Sequence, residues 1–338
     1  MRPARQGRDR PALGPLRHSG YLLLAAVLSG CALDGALAPR GSSASTIAGV
    51  WWYMFWVGTA VFVGWLALFG WALLRPRGQE ATDSDHEARI HRRLIVGGGI
   101  VLPVIVLGSL FGYNLSALLA LPRGGDVVVD VTGYQYWWEV AYPQAGFVTA
   151  NEMYIPTDTD VRVRLHSEDV IHSFWVPQLG GKRDLVPGHV NELTLRATEP
   201  GRYLGECAEF CGIQHANMRF DVVAVAPGEY DAWLARMARP APRPDTPSER
   251  AGYEAFMTSS CAACHAIRGT PADGRVGPAL THFARREELG AGVAPNDRGH
   301  LGGWVVNSQA LKPGNLMPPV EVDARQLPEL LTYLESLE

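Results

Sequence analysis

Two stretches without a single charged residue, 47 to 74 and 94 to 121, constrain this 338-residue chain more than any other feature. Each holds 28 residues, more than the roughly 20 that carry an α-helix across a bilayer. They predict two transmembrane helices. Pro103 inside the second is tolerated, because a membrane helix can kink and re-satisfy the freed backbone. Arg75, Arg77, Arg89, Arg92 and Arg93 lie between the spans, against only Arg40 and Arg123 on the outer flanks, which puts the connecting loop in the cytoplasm and both chain ends outside. Trp51, Trp52 and Trp56 form an interfacial aromatic belt at the outer end of the first span.

The start of the chain reads as an export signal: Arg2, Arg5, Arg8, Arg10 and Arg17, an apolar run from Tyr21 to Leu28, then Leu28-Ser29-Gly30-Cys31. That tetrapeptide resembles the bacterial lipobox, which implies cleavage after residue 30 and a lipid on the Cys31 thiol; the alternative is an unmodified cysteine in an ordinary signal sequence. The formal net charge is −4, with 19% charged and 47% hydrophobic residues, which excludes a disordered tail and a basic nucleic-acid binder. Without its Arg-rich leader the chain is more acidic still, which suits a cationic partner.

After Gly124 the texture changes to short β-rich runs separated by Pro and Gly: 126–142, 148–156, 160–177, 190–198 and 220–226. Val161, Val163 and Leu165 alternate with Arg162, Arg164 and His166, the pattern of a half-buried strand. An antiparallel sandwich or barrel over 124–239 is the expectation. A Pro-rich linker, 240–247, follows, and then a unit over 248–338 that opens with a helix at Ser248 and closes with one at about Asp323 to Leu337. The predicted order is a leader 1–30, a helix hairpin within 31–121, the β domain, the linker and the C-terminal helical domain.

Two thiols, an imidazole and a thioether are packed into Cys207-Ala-Glu-Phe-Cys211-Gly-Ile-Gln-His215-Ala-Asn-Met218, and His172 stands on an earlier strand. This soft donor set suits copper. A mononuclear blue-copper site would need one cysteine only, whereas two cysteinates can each bridge two copper ions. A Cys207–Cys211 disulfide and a tetrahedral zinc held by His172, Cys207, Cys211 and His215 remain open, although both leave Met218 without a role. Residues 47 to 238 resemble subunit II of haem–copper cytochrome c oxidases, through the motif Cys-x-Glu-x-Cys-x-x-x-His-x-x-Met and the segment Asp169-Val-Ile-His-Ser-Phe-Trp-Val-Pro. The resemblance implies a cupredoxin-like domain with a binuclear CuA centre. In it Cys207 and Cys211 bridge, His172 and Met218 complete one copper, and His215 and the Glu209 backbone carbonyl complete the other. The Glu209 side chain would contribute to a magnesium site shared with subunit I.

Cys261-Ala-Ala-Cys264-His265 is the attachment signature of a covalent haem, with two thioethers and His265 on iron; a redox CxxC is the plainer reading. Only one methionine follows it, Met317 in Gly-Asn-Leu-Met-Pro-Pro, the natural sixth ligand, with His282 and His300 as alternatives. Residues 248 to 338 resemble a class I cytochrome c domain, in which the Pro278 carbonyl would orient His265, and Gly252 and Phe256 would cross Leu330 and Tyr333. Together the resemblances imply a caa3-type subunit II: a transmembrane helix hairpin, an all-β cupredoxin-like domain and an all-α cytochrome c domain. Such a chain is part of a proton-translocating oxidoreductase, passes electrons from haem c through CuA to subunit I, and assembles with subunits I and III. It takes electrons from a cytochrome c or a quinol-oxidising complex. Oxygen reduction would belong to another chain, since neither span contains a histidine. A freestanding copper–haem carrier and an accessory subunit of a nitric oxide reductase are the rival readings. One departure stands out: the family's usual entry tryptophan is replaced by Tyr136 in Gly133-Tyr-Gln-Tyr-Trp-Trp138.

Overall fold

The structure, a computed structural model, describes residues 35–74 and 84–338. The expected leader, 1–30, and Cys31 lie outside the described residues.

Helix α1 (Ser42–Leu74) covers the first charge-free stretch and extends N-terminal of it. The second is assembled from α2 (Ser84–Val96), a π-type segment Gly97–Val101 and α3 (Leu102–Leu119), ending two residues short of the expected boundary. Pro103 accounts for the middle piece: it offers no N–H, and its ring crowds the carbonyl four residues back, that of Gly99. The ladder widens there, with the Leu102 N–H bonded to the Gly97 carbonyl five residues back, and three consecutive glycines supply the backbone freedom. Tyr53 on α1 donates to Ser109 on α3 at 2.8 Å and packs against the Tyr113 ring. Elsewhere Trp56, Phe62, Leu107 and Phe111 point outward, a surface suited to lipid rather than water.

The root of α1 is fastened to the β domain by backbone bonds, Arg40 N–H to Gln178 O at 2.8 Å and Ser42 N–H to Arg196 O at 3.2 Å. A Cβ on Gly41 would lie 2.6 Å from the Leu179 carbonyl, so only glycine permits this approach.

That domain has ten strands: β1 (Val127–Tyr134), β2 (Trp137–Tyr142), β3 (Phe147–Ala150), β4 (Glu152–Pro156), β5 (Val161–Ser167), β6 (His172–Trp175), β7 (Arg183–Leu185), β8 (Asn191–Leu195), β9 (Gly201–Cys207) and β10 (Arg219–Val225). They form two five-stranded sheets, β3-β2-β1-β5-β8 and β4-β10-β9-β6-β7. The sandwich is not purely antiparallel as expected: β1 pairs with β5, and β4 with β10, in parallel, because each pair joins strands separated by a crossing between the sheets. Trp138, Val129, Leu165, Phe174 and Val222 fill the space between. Strand β9, which delivers Cys207, was not expected, because Gly201, Gly205 and two charged residues hide its alternation. Gly205 is required there: the Phe220 ring of β10 occupies the place of its Cβ, 2.2 Å away. Helix α4 (Pro227–Met237) closes the domain by stacking Trp233 on Tyr154 at 4.3 Å.

The C-terminal domain is helical, as expected, with α5 (Pro247–Thr258), α6 (Cys261–Cys264), α7 (Arg298–Leu311) and α8 (Leu327–Glu335), and two short two-stranded ladders lie between α6 and α7. The first helix starts one residue earlier than expected, with Thr246 and Glu249 capping each other. Helices α5 and α8 cross at Gly252, where a Cβ would lie 2.0 Å from the Glu329 carbonyl.

The start of the Pro-rich segment is fastened to the C-terminal domain. Ala241 N–H bonds the Arg268 carbonyl at 2.9 Å, and the His282 ring reaches the Arg239 carbonyl at 3.1 Å. The two domains also meet directly. Arg219 N–H bonds the Ala291 carbonyl at 3.1 Å, Glu287 N–H bonds the Glu152 carboxylate at 3.0 Å, and Arg202 pairs with Glu287 at 2.8 Å.

Candidate metal and haem centres

The cluster at one end of the sandwich draws on three elements. Cys207 ends β9, His172 opens β6 beside it, and Cys211, His215 and Met218 come from the loop between β9 and β10. The Cys207 and Cys211 sulfurs are 3.9 Å apart, far beyond the roughly 2.05 Å of a disulfide, and wide enough for a metal about 2.3 Å from each thiolate to lie between them. His172 Nδ1 lies 3.9 Å from the Cys207 sulfur, His215 Nδ1 3.7 Å from that of Cys211, the Met218 sulfur 3.8 Å from Cys211, and the Glu209 carbonyl 3.2 Å from Cys207. His172 and Met218 are fully buried, whereas His215 is half-buried.

All six residues singled out in the sequence are thus together, and the donor set fits copper better than zinc because the Met218 thioether faces inward with the rest.

The surroundings prepare these donors. Asp169 accepts from His172 Nε2 at 2.8 Å and, through its other oxygen, from Gln135 N–H at 2.6 Å. This leaves the His172 Nδ1 lone pair directed at the cluster. Burial opposes a charge on His172, but Cys207 and Asp169 outweigh it and raise its pKa. Cys207 is pushed down to about 3, first by its bond from the Cys211 thiol and further by His172, against the cost of burial. Cys211, hydrogen-bonded to that thiolate, moves up. Gly133 brings β1 against the cluster, since a Cβ there would lie 2.8 Å from the His172 ring.

The Glu209 carboxylate points away from the sulfurs, 45% exposed and 3.5 Å from Lys182 Nζ.

The second centre is an apolar cavity in the C-terminal domain with Cys261, Cys264, His265 and Met317 on its wall. His265 Nδ1 bonds the Pro278 carbonyl at 2.8 Å, which fixes Nδ1 as the protonated nitrogen and leaves the Nε2 lone pair free. Burial lowers the His265 pKa, against the pull of the Pro278 bond. A Cβ on Gly277 would lie 2.5 Å from the His265 ring, so backbone seats the imidazole directly. Arg286 also borders the cavity; it is buried and its Nε has no partner among the described residues. An acidic group on a ligand would satisfy that orphan donor. The residues present therefore fit a haem.

The two alternative axial ligands are placed elsewhere: both His282 nitrogens face backbone carbonyls, of Glu338 and Arg239, and His300 is held by Asp297 on the surface.

Part of the cavity wall comes from the β domain: Tyr134, Gln135, Tyr136 and Trp137. The same segment touches the copper-type cluster, because Gln135 Nε2 donates to the Cys211 carbonyl at 2.5 Å and the Tyr136 hydroxyl abuts Gly212. Gln135, Asp169, Arg286 and Lys312 were not anticipated as parts of the site. Only Asp169, three residues before His172, left a readable signal.

A membrane-anchored protein that joins a copper-type cupredoxin domain to a covalent-haem cytochrome domain is the class this fold and these two centres define. Residues 144–225 match the family described as cytochrome c oxidase subunit II, periplasmic domain, and residues 249–338 match cytochrome c. The chain is 39% identical over 247 residues to cytochrome c oxidase subunit 2 of Alkalihalophilus pseudofirmus, covering 70% of this chain and 71% of that one. To the subunit 2 of Bacillus subtilis it is 35% identical over 257 residues, covering 71% and 70%. The crystal structure of the periplasmic domain of subunit II of cytochrome oxidase of Bradyrhizobium japonicum is 32% identical, covering 35% of this chain and 96% of that one, with a TM-score of 0.33. The chain belongs to the cytochrome c oxidase subunit II family and carries a fused cytochrome c domain. The two matched domains imply CuA copper and haem c as cofactors.

Proposed function

We propose that this chain is the electron-receiving subunit II of a haem–copper cytochrome c oxidase, in which electrons reach the copper domain from its own haem domain. Cys207, Cys211, His172, His215, Met218 and the Glu209 backbone carbonyl hold the copper pair; Cys261 and Cys264 tether the haem, with His265 and Met317 on its iron. When bound, the two groups supply one-electron redox chemistry, the electron lost by one being the electron gained by the other, with no bond made.

The chain's own residues do the rest. The sandwich and the loop between β9 and β10 hold the copper ligands in place, so that little rearranges with each electron. Asp169 and Pro278 fix the two histidines, and the apolar wall excludes water from the haem. The single observation that carries this reading is the shared wall: Tyr134–Trp137 lines the haem cavity while Gln135 bonds the Cys211 carbonyl.

In the same reading the helix hairpin docks on subunit I, where oxygen becomes water and protons are pumped, with subunit III alongside. Both redox domains stand on the outer face, anchored further by a lipid on Cys31. The outward Glu209 carboxylate joins a magnesium site at the subunit I contact. The external donor, a cytochrome c or a quinol-oxidising complex, meets the haem domain. In this reading the functional units are a leader 1–30, the helix hairpin within 31–121, the copper domain 124–239, the Pro-rich linker 240–247 and the haem domain 248–338.

Purification through a tag on this chain tests the reading. Two coppers and one covalent haem per chain, a polytopic haem-bearing partner and cyanide-sensitive oxygen uptake are expected. Recovery of this chain alone, with no oxidase partner, would overturn it.

A further inference from the structure

Of the 30 basic Lys and Arg residues only two are lysines, Lys182 and Lys312. Lys182 is half-exposed. Lys312, just past the end of α7, is 1% exposed and stands between the two domains. Its ammonium donates to three backbone carbonyls: Tyr136 at 2.8 Å and Asn217 at 2.7 Å in the copper domain, and Gly290 at 2.5 Å in its own. Three hydrogens meet three acceptors. No carboxylate pairs with it among the described ion pairs, so a buried charge that would otherwise be costly is compensated chiefly by carbonyl dipoles. An arginine could not replace it, since a planar fork does not match three converging acceptors.

The two residues that follow make the same contact: the Pro313 carbonyl accepts from Gln214 Nε2 at 2.6 Å, and a Cβ on Gly314 would lie 2.8 Å from Ile213. The stretch 312–314 therefore rests on the loop that carries His215 and Met218, and its continuation carries Met317. One short segment ties the copper-ligand loop to the haem-ligand loop.

We propose that Lys312 is a positioning residue, an interdomain latch that holds the haem cavity against Tyr134–Trp137 in the register needed for electron transfer to the copper pair. The proposal rests on the reading that electrons pass from the haem domain to the copper domain. Burial works against the ammonium, bringing it down to about 7, with Cys211 opposing. Transfer through protein falls steeply with distance, so loosening the latch slows it even when both centres are intact.

Lys312→Met in the full, cofactor-loaded chain tests this, because it keeps the length and removes all three donors. Amide exchange at Arg219 and Glu287, whose N–H groups bond across the interface, should accelerate at least tenfold. Copper reduction following flash reduction of the haem should slow at least tenfold, with the copper and haem spectra and the haem potential unchanged. Unaltered exchange, or faster exchange with unaltered transfer, would overturn the latch. The order of transfer fails separately: in the wild-type protein, copper reduced by the donor as fast without the haem as with it would sink that order and leave the exchange result standing. Should Lys312→Met lack either chromophore, acylation of the native chain decides: Lys182 should react and Lys312 should not, whereas equal labelling of both lysines overturns the proposal.

Discussion

The crossing of α5 and α8 is a demanding test of how this chain holds its haem, because Phe256, Leu330 and Leu334 at that crossing also floor the haem cavity. Gly252→Ala places a Cβ 2.0 Å from the Glu329 carbonyl and 2.7 Å from the Tyr333 Cβ. Neither obstacle is the tip of a flexible side chain, so the helices must separate by more than an ångström to reach an ordinary contact. Overpacking of a core costs about 1–3 kcal/mol, and a backbone obstacle belongs at the upper end. Alanine returns about 1 kcal/mol through its better helix propensity. The net loss is about 2 kcal/mol, a fall of about 8–16 °C in the melting temperature of a domain this size.

Gly303 on α7 is the control, since nothing lies within 4 Å of its added Cβ; Gly303→Ala should stabilise by up to about 1 kcal/mol. Unfolding of the full chain followed by the haem Soret band reads both variants. A Gly252→Ala protein as stable as the parent would refute the packing argument, and with it the claim that this glycine sets the floor of the cavity.

Cys207→Ser or Cys211→Ser should abolish the copper pair, because a hydroxyl is a poor bridge for a soft metal; elemental analysis that still finds two coppers per chain would remove that cysteine from the ligand set. Met317→Ala should leave the haem attached through Cys261 and Cys264 but lower its potential, and an unchanged spectrum and potential would exclude Met317 as the axial ligand. Glu152, at the domain interface, has its pKa raised by burial, with the Glu287 amide and Arg202 pulling the other way. A carboxylate raised in the folded state costs stability while ionised, and the cost disappears as pH falls through its folded value to below about 4.3. Glu152→Gln, which can still accept from Glu287 N–H, should therefore unfold at the same or a higher temperature than the parent at pH 7, with the difference closing in acid. A less stable variant at pH 7 would mean that the Arg202 pair outweighs the burial.

What the sequence determined by itself was whatever a short run of residues decides locally. Charge-free length is enough to specify the helix hairpin, because a bilayer asks only that backbone bonds close within the segment. The spacing of Cys207, Cys211, His215 and Met218 brings four donors together through one loop, and Cys261-x-x-Cys-His265 does the same on one helical turn. The Gly252 crossing could be read only through the resemblance to class I cytochromes c, not from any local pattern. Tertiary structure alone decided what depends on partners distant in the chain. Strand β9 is paired by β10 and β6 despite its glycines, and the parallel pairs β1/β5 and β4/β10 follow from how the sheets close rather than from any periodicity. The 240–247 segment reads as a stiff linker from composition, and only the folded chain brings the Arg268 carbonyl to the Ala241 N–H at its start. Lys312 reads as one more surface cation. Only the convergence of carbonyls from residues 136, 217 and 290 makes it a buried bond between the domains, and a backbone acceptor carries no side-chain identity for a sequence to display.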